Sequence, residues 1–104
     1  MDRKTIKKPL NQFIKKIVQT VNPDKIILYG SYAQNNANEY SDIDILVVSN
    51  TFKDMDIDER STKLYTITQD LHPDFQAHGF TIKEIENALP YSTLGEALRT
   101  GVSI

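Results

Sequence analysis

Two short segments of this chain have residue types and a spacing that suit chemistry. Gly30-Ser31 is followed, after ten intervening residues, by Asp42-Ile43-Asp44. In a β-strand, residues two apart project from the same face, so Asp42 and Asp44 would stand side by side while Ile43 turns inward. Two neighbouring carboxylates repel each other, and a hard cation such as Mg²⁺ relieves that repulsion with oxygen ligands and residual waters. A glycine at a strand end lets a ligand approach the backbone, and a serine opening a turn or helix offers a hydroxyl and free amides to a phosphate. Together the segments describe a triphosphate held beside a metal-binding acid pair. The metal would offset phosphate charge, orient a leaving pyrophosphate and, with a second ion, help lower the pKa of an attacking hydroxyl.

Both segments need strands to position them, and the flanking residues supply strand signals. Lys25-Ile26-Ile27-Leu28-Tyr29 is a β-branched and aromatic run that stops at Gly30, and residues 43–48 form a second such run. Between them, Tyr32-Ala33-Gln34 suits one or two helical turns before an asparagine-rich loop. Upstream, Ile6, Leu10, Phe13, Ile14, Ile17, Val18 and Val21 recur every three or four residues, which predicts a helix from Pro9 to Val21 that Asn22-Pro23-Asp24 ends. Downstream, Ile57, Leu64, Ile67 and Leu71 predict a helix over residues 56–71, stopped by His72-Pro73. Asp74-Phe75-Gln76-Ala77 then reads as a short third strand. Thr81-Ile82-Lys83-Glu84 matches a capping box for a helix running to Leu89, another helix spans residues 93–100, and residues 102–104 suit an edge strand.

Composition bounds the setting. The chain has 104 residues, 39% apolar and 25% charged, which fits one globular domain over residues 1–104 with one modest core. No apolar run approaches the roughly 20 residues that cross a bilayer, and no secretory signal is evident, so a cytoplasmic location is expected. With no cysteine, a metal must be held by oxygen ligands or by the two histidines. The net charge is −2, yet Arg3, Lys4, Lys7, Lys8, Lys15 and Lys16 make the amino end basic and leave the body acidic. That basic stretch is more simply a solvated helix face than a nucleic-acid surface.

Other candidate residues have simpler readings. His72 and His78 flank the third strand without the pattern of a metal site, and surface roles suit them better. The five tyrosines default to packing, with Tyr32 and Tyr40 expected nearest a bound nucleotide because they flank the motif. The acidic run Asp54, Asp56, Asp58 and Glu59 lacks the glycine and final glutamate of a calcium loop and reads as a helix start.

At Leu28-Tyr29-Gly30-Ser31-Tyr32-Ala33 and Ser41-Asp42-Ile43-Asp44-Ile45-Leu46-Val47-Val48 the chain resembles the polymerase-beta-like nucleotidyltransferase superfamily. The signature there is Gly-Ser, ten residues, Asp-x-Asp, and the surrounding text is most similar to the minimal nucleotidyltransferases. The resemblance implies an α/β (α+β) fold: a small mixed, mostly antiparallel sheet with helices mainly on one face and the active site at its exposed edge. It implies transfer of a nucleoside monophosphate, AMP from ATP, to an acceptor hydroxyl. Gly30 and Ser31 would bind the nucleotide, while Asp42 and Asp44 would be catalytic and hold two Mg²⁺ ions. Relatives complete the metal site with a third carboxylate from a later strand, the place Asp74 fits, although a turn after Pro73 would also explain Asp74. Many relatives read Ala-Arg-Gly where this chain has Ala33-Gln34-Asn35, a departure that removes a basic side chain from the motif.

The resemblance further implies a helical HEPN-type protein partner, which the chain would oppose as an antitoxin by adenylylating it. Two alternatives stand beside this: a non-catalytic module that neutralises such a partner by binding, and transfer to a small molecule or RNA. An apolar edge near residues 102–104 could join a second subunit in a homo- or hetero-oligomer.

Overall fold

A computed structural model describes residues 3–104, so Met1 and Asp2 of the expected 1–104 domain lie outside the described residues. Helix α1 (Lys7–Val21) buries Leu10, Phe13, Ile17 and Val21 and leaves its lysines in water. It starts two residues before Pro9, after a 3-10 turn over Arg3–Ile6. Proline is tolerated there because the first-turn amides have no intrahelical partner to lose. Asn22 closes the helix in the left-handed conformation, with φ of 47°. The Val21 carbonyl, orphaned at that end, accepts hydrogen bonds from the Ser49 and Thr51 hydroxyls.

Four strands form one sheet in the order β3-β2-β1-β4, where β1 is Lys25–Tyr29, β2 Ile43–Val48, β3 Phe75–Phe80 and β4 Val102–Ser103. The β1–β2 and β1–β4 pairs are antiparallel and β2–β3 is parallel, giving the mixed, mostly antiparallel sheet expected. Helices α1 and α2 (Ile57–Thr68) cover one face over Leu28, Ile43, Ile45 and Val47. Helix α4 (Thr93–Thr100) covers part of the other, where Ala97 packs on Ile27 and Leu46. The two central strands are thus buried on both sides, which is why they read as continuous apolar runs. Among the described residues no helix is long and apolar enough to cross a membrane.

Several further details differ from the sequence reading. Helix α2 ends at Thr68, and its chain unwinds so that Leu71 reaches the core. Ile57, expected on the apolar stripe, is exposed, because the core beneath that end is filled by Phe52 with Met55 beside it. Strand β3 begins after Asp74 and runs on to Phe80. It fits despite few apolar residues because Phe75 stacks on Phe13 at 5.2 Å, while the Phe52 ring occupies the space above Gly79 that a Cβ would need. The capping box Thr81/Glu84 is formed, but its helix α3 (Ile82–Glu86) stops short of Leu89.

Candidate active site

The end of β1 and the start of β2 are neighbours in the antiparallel ladder, with Tyr29 opposite Asp44. The side-chain alternation of β2 sends Ile43 and Ile45 to the α1/α2 core and Asp44 to the face that Leu46 shares with α4. Asp42 precedes the strand on that same side, and the Asp42 charge acts on Asp44. The two carboxylates expected to stand together therefore do so.

Gly30 closes the site from the β1 side. Its φ of +75° is a conformation that side chains disfavour, and a Cβ there would overlap the Asp44 carboxylate, lying 3.1 Å from Cγ. The absence of a side chain at Gly30 is what leaves room for Asp44. After it the chain makes a single helical turn, within the one or two expected: the Gln34 amide donates to the Gly30 carbonyl at 3.1 Å and that of Asn36 to Ser31 at 3.0 Å. Ser31 sits at the mouth of this turn, partly exposed. The loop returning to Asp42 is held by Asn38, whose side chain accepts from the Tyr40 amide at 2.8 Å, and by the Ser41 hydroxyl, which accepts from the Asn38 amide at 2.9 Å. Neither tyrosine expected near the nucleotide is placed by the fold to line this site. Tyr32 is an anchor of the hydrophobic core, 2% exposed, and Tyr40 is 85% exposed on the loop.

The electrostatics match a site that wants positive charge. Partial burial and then the neighbouring Asp42 charge push the Asp44 carboxyl above its ordinary range, only partly opposed by His78. Burial and Asp44 likewise raise the Tyr29 phenol, keeping it neutral. No lysine or arginine is ion-paired with Asp42 or Asp44 among the described residues, where the recorded ion pair is Arg60–Glu84. Two carboxylates without a lysine or arginine partner among the described residues, open to solvent on one side, form a donor set that suits Mg²⁺, which is commonly held by one or two carboxylates with phosphates and water completing its shell.

The strand register alters the picture of the third carboxylate. Opposite Asp44 on β3 stands Gln76, whose side-chain amide donates to Asp42 Oδ2 at 3.3 Å. Asp74 lies before the strand, its carbonyl accepting the Ile43 amide at 2.8 Å. Among the described residues no three His, Cys, Asp or Glu side chains converge as a metal site, so the expected trio of Asp42, Asp44 and Asp74 is not gathered here. The parallel register pairs Ile43 with Phe75, so Asp74 lies one position before the paired residues, tied to Ile43 through its carbonyl. Asp74 instead lines a groove of about 380 Å³ beside α2, together with Gln76 and His78. Sequence reasoning missed Gln76 and set His78 aside. The signal for both was their even spacing from Asp74 on a strand whose odd residues are the packed ones.

The site is thus a glycine-ended strand beside a solvent-open acid pair on a four-stranded mixed sheet. The chain belongs to the nucleotidyltransferase domain family, whose family model matches residues 10–96 and so takes in every residue of this site. A relative from Methanocaldococcus jannaschii named "Putative protein adenylyltransferase MJ1305" is 42% identical over 60 residues, covering 56% of this chain and 41% of that protein. The chain thus spans about two-fifths of that relative's length.

Among solved structures, a Sulfolobus solfataricus protein titled a "putative nucleotidyltransferase" is similar with a TM-score of 0.67 at 16% identity, covering 92% of this chain and 76% of that one. A toxin–antitoxin structure with AMP-PNP gives 0.63 at 22% identity, covering 89% and 69%. BolA1 from Arabidopsis thaliana gives 0.60 at 17%, covering 76% and 98%. At these identities the likeness is one of fold, and the chemistry has to be argued from the residues.

Proposed function

We propose that this chain transfers a nucleoside monophosphate, AMP from ATP, to a hydroxyl group of a partner protein, and does so as the antitoxin of a HEPN-type helical toxin. The observation that carries the catalytic half is the acid pair Asp42/Asp44, held without a counter-cation against a glycine that leaves it space. The acceptor hydroxyl attacks the alpha phosphorus and gives up its proton to water, a new P–O bond forms, and the bond to the bridging oxygen breaks to release pyrophosphate. Asp42 and Asp44 would hold Mg²⁺, which when bound supplies charge neutralisation for the phosphates and the leaving group. The turn after Gly30 offers Ser31 to the phosphates, and the ladder between β1 and β2 fixes the distance from that turn to the acids. Asp74, Gln76 and His78 border the opposite side, where we place the acceptor rather than a third metal ligand.

The protein acceptor and the antitoxin role rest on the name of the archaeal relative and on the toxin–antitoxin structure that shares the fold. The test is to incubate the chain with Mg²⁺, alpha-labelled ATP and the product of a neighbouring helical-protein gene. Label on that protein, lost in Asp42→Ala with Asp44→Ala, is the expected result. If the double variant still neutralises the partner, the chain acts by binding alone; if label enters only RNA or a small molecule, the acceptor assignment falls.

A further inference from the structure

A second cleft opens on the other side of Gly30. Between the end of β1 and α4 lies a cavity of about 300 Å³, bordered by Tyr29, Gly30, Gln34, Thr93, Glu96 and Thr100. Its volume is at the lower end of small-molecule pockets, which suits a nucleobase better than a whole nucleotide. From this cleft and the acid pair we infer that it is the subsite for the base of the donor nucleotide, with Glu96 selecting bases that carry an exocyclic amine. The inference rests on the nucleotidyltransferase reading above.

Three observations carry it. The first is continuity: Gly30 and Tyr29 belong to both places, Gly30 by its approach to Asp44 and Tyr29 by standing opposite Asp44 in the ladder. A triphosphate at the Gly30 turn has its nucleoside within one residue of this cavity. The second is chemistry. The Tyr29 ring is half-buried against the Ile27, Leu46 and Ala97 cluster, giving an apolar wall, and the small Ala97 leaves space in front of it.

The third is charge. Glu96 lies at the cleft, exposed and without an ion-pair partner among the described residues. An ionised carboxylate only accepts hydrogen bonds, so it repels phosphate and takes a donor. Adenine, cytosine and guanine present an exocyclic amine; the donor of uracil is its ring N3–H, flanked by two carbonyl oxygens that a carboxylate repels. Glu96 therefore also orients the nucleotide, turning the triphosphate toward the metal-binding side and the base toward α4. Gln34, whose side-chain amide reaches the Thr100 carbonyl at 3.4 Å, has its carboxamide at the same rim.

The experiment is isothermal titration of the full chain with ATP, CTP, GTP, UTP and inorganic triphosphate in the presence of Mg²⁺. Wild type should bind the three amine-bearing nucleotides about tenfold tighter than UTP, the scale of one hydrogen bond to a charged group. Glu96→Ala, which is a good helix residue and should fold, should erase that difference and leave UTP and triphosphate unchanged. Thr93→Phe, filling the cleft, should weaken all four nucleotides and spare triphosphate. Uniform binding of the four by wild type, or an unchanged profile in both variants, overturns the subsite. If wild type binds neither nucleotides nor triphosphate, the nucleotidyltransferase reading fails and the subsite with it, an outcome distinct from nucleotide binding that ignores Glu96.

Discussion

Replacing Gly30 by alanine tests the geometry of the site at its tightest point. The glycine sits at φ of +75°, where an L-residue costs about 1–2 kcal/mol. The added methyl also collides with the Asp44 carboxylate, and restoring ordinary van der Waals separation requires that group to retreat by about 1 Å. Leaving its rotamer well adds about 0.5–1.5 kcal/mol. The total, about 1.5–3.5 kcal/mol, should lower the melting temperature by about 6–28 °C and still leave a folded protein. Catalysis should suffer more, since misplacing a reacting group by about 1 Å costs about a hundredfold.

Thermal unfolding by circular dichroism and single-turnover labelling measure the two effects separately. The decisive step is a double-mutant cycle with Asp44→Ala. Without the carboxylate only the backbone conformation remains to oppose alanine, so its stability cost should shrink by about 1 kcal/mol. An identical cost in both backgrounds would refute the contact, and a Gly30→Ala protein that labels its acceptor at the wild-type rate would refute its importance.

Asp44→Asn should melt a few degrees above wild type at neutral pH without divalent metal. A raised carboxyl pKa means that the fold favours the neutral form, so the destabilising charge appears as pH rises through the raised value; the advantage of asparagine should vanish as pH falls below 3.8, the ordinary value. Adding Mg²⁺ should stabilise wild type and leave Asp44→Asn unmoved, a reversal readable in the same melts. Arg60→Met should destabilise by about 3 kcal/mol or more in a denaturant titration, because the guanidinium donates to the carbonyls of Met55, Gly79 and Phe52 and pairs with Glu84 at 2.7 Å. Burial works to raise the Glu84 carboxyl, but the hydrogen bonds from Arg60 and Thr81 outweigh it and lower the pKa, so wild type should lose this stability as pH falls through that depressed value, a loss that should be smaller in the variant, which keeps only the Thr81 bonds. Gln76→Asp should tighten Mg²⁺ binding by titration calorimetry, since it puts a carboxylate opposite Asp44, whereas Asp74→Ala should leave Mg²⁺ affinity within about threefold of wild type.

The parts of the site that could be read from the sequence are those fixed by local geometry. The same-side placement of Asp42 and Asp44 follows from strand periodicity, and Gly30 follows from a strand that must end against something close. The helix stripes emerge from the same kind of counting: Leu10, Phe13, Ile17 and Val21 were recoverable because neighbouring turns specify them. Gln76 was not. Choosing it over Asp74 requires the register of a parallel pair, which is set by contacts far apart in the chain, such as Phe13 on Phe75 and Phe52 above Gly79. Tyr32 was misplaced for a related reason, because whether an aromatic after a motif turns to the ligand or to the core depends on the turn, and this turn points it into the core. Glu96 gave no signal at all, since only the packing of α4 on the sheet brings it beside Gly30.

Shape alone does not assign this protein, for the likeness to BolA1, with a TM-score of 0.60, is nearly as close as that to the toxin–antitoxin structure at 0.63. What separates the readings is a conflict between the sequence and its own fold. Strand β2 is buried at Ile43, Ile45, Leu46, Val47 and Val48, and only Asp44 interrupts it. A chain selected for stability alone would place an apolar or neutral residue there, because Asp44 loses hydration, faces a second negative charge and restricts position 30 to glycine. Burial and like-charge repulsion at one point are both unfavourable in the free chain, and a bound cation is what would reverse the sign of each. On the function proposed above, such a cation would neutralise the acid pair and replace the lost water, while Gly30 leaves the Asp44 carboxylate the room to hold it.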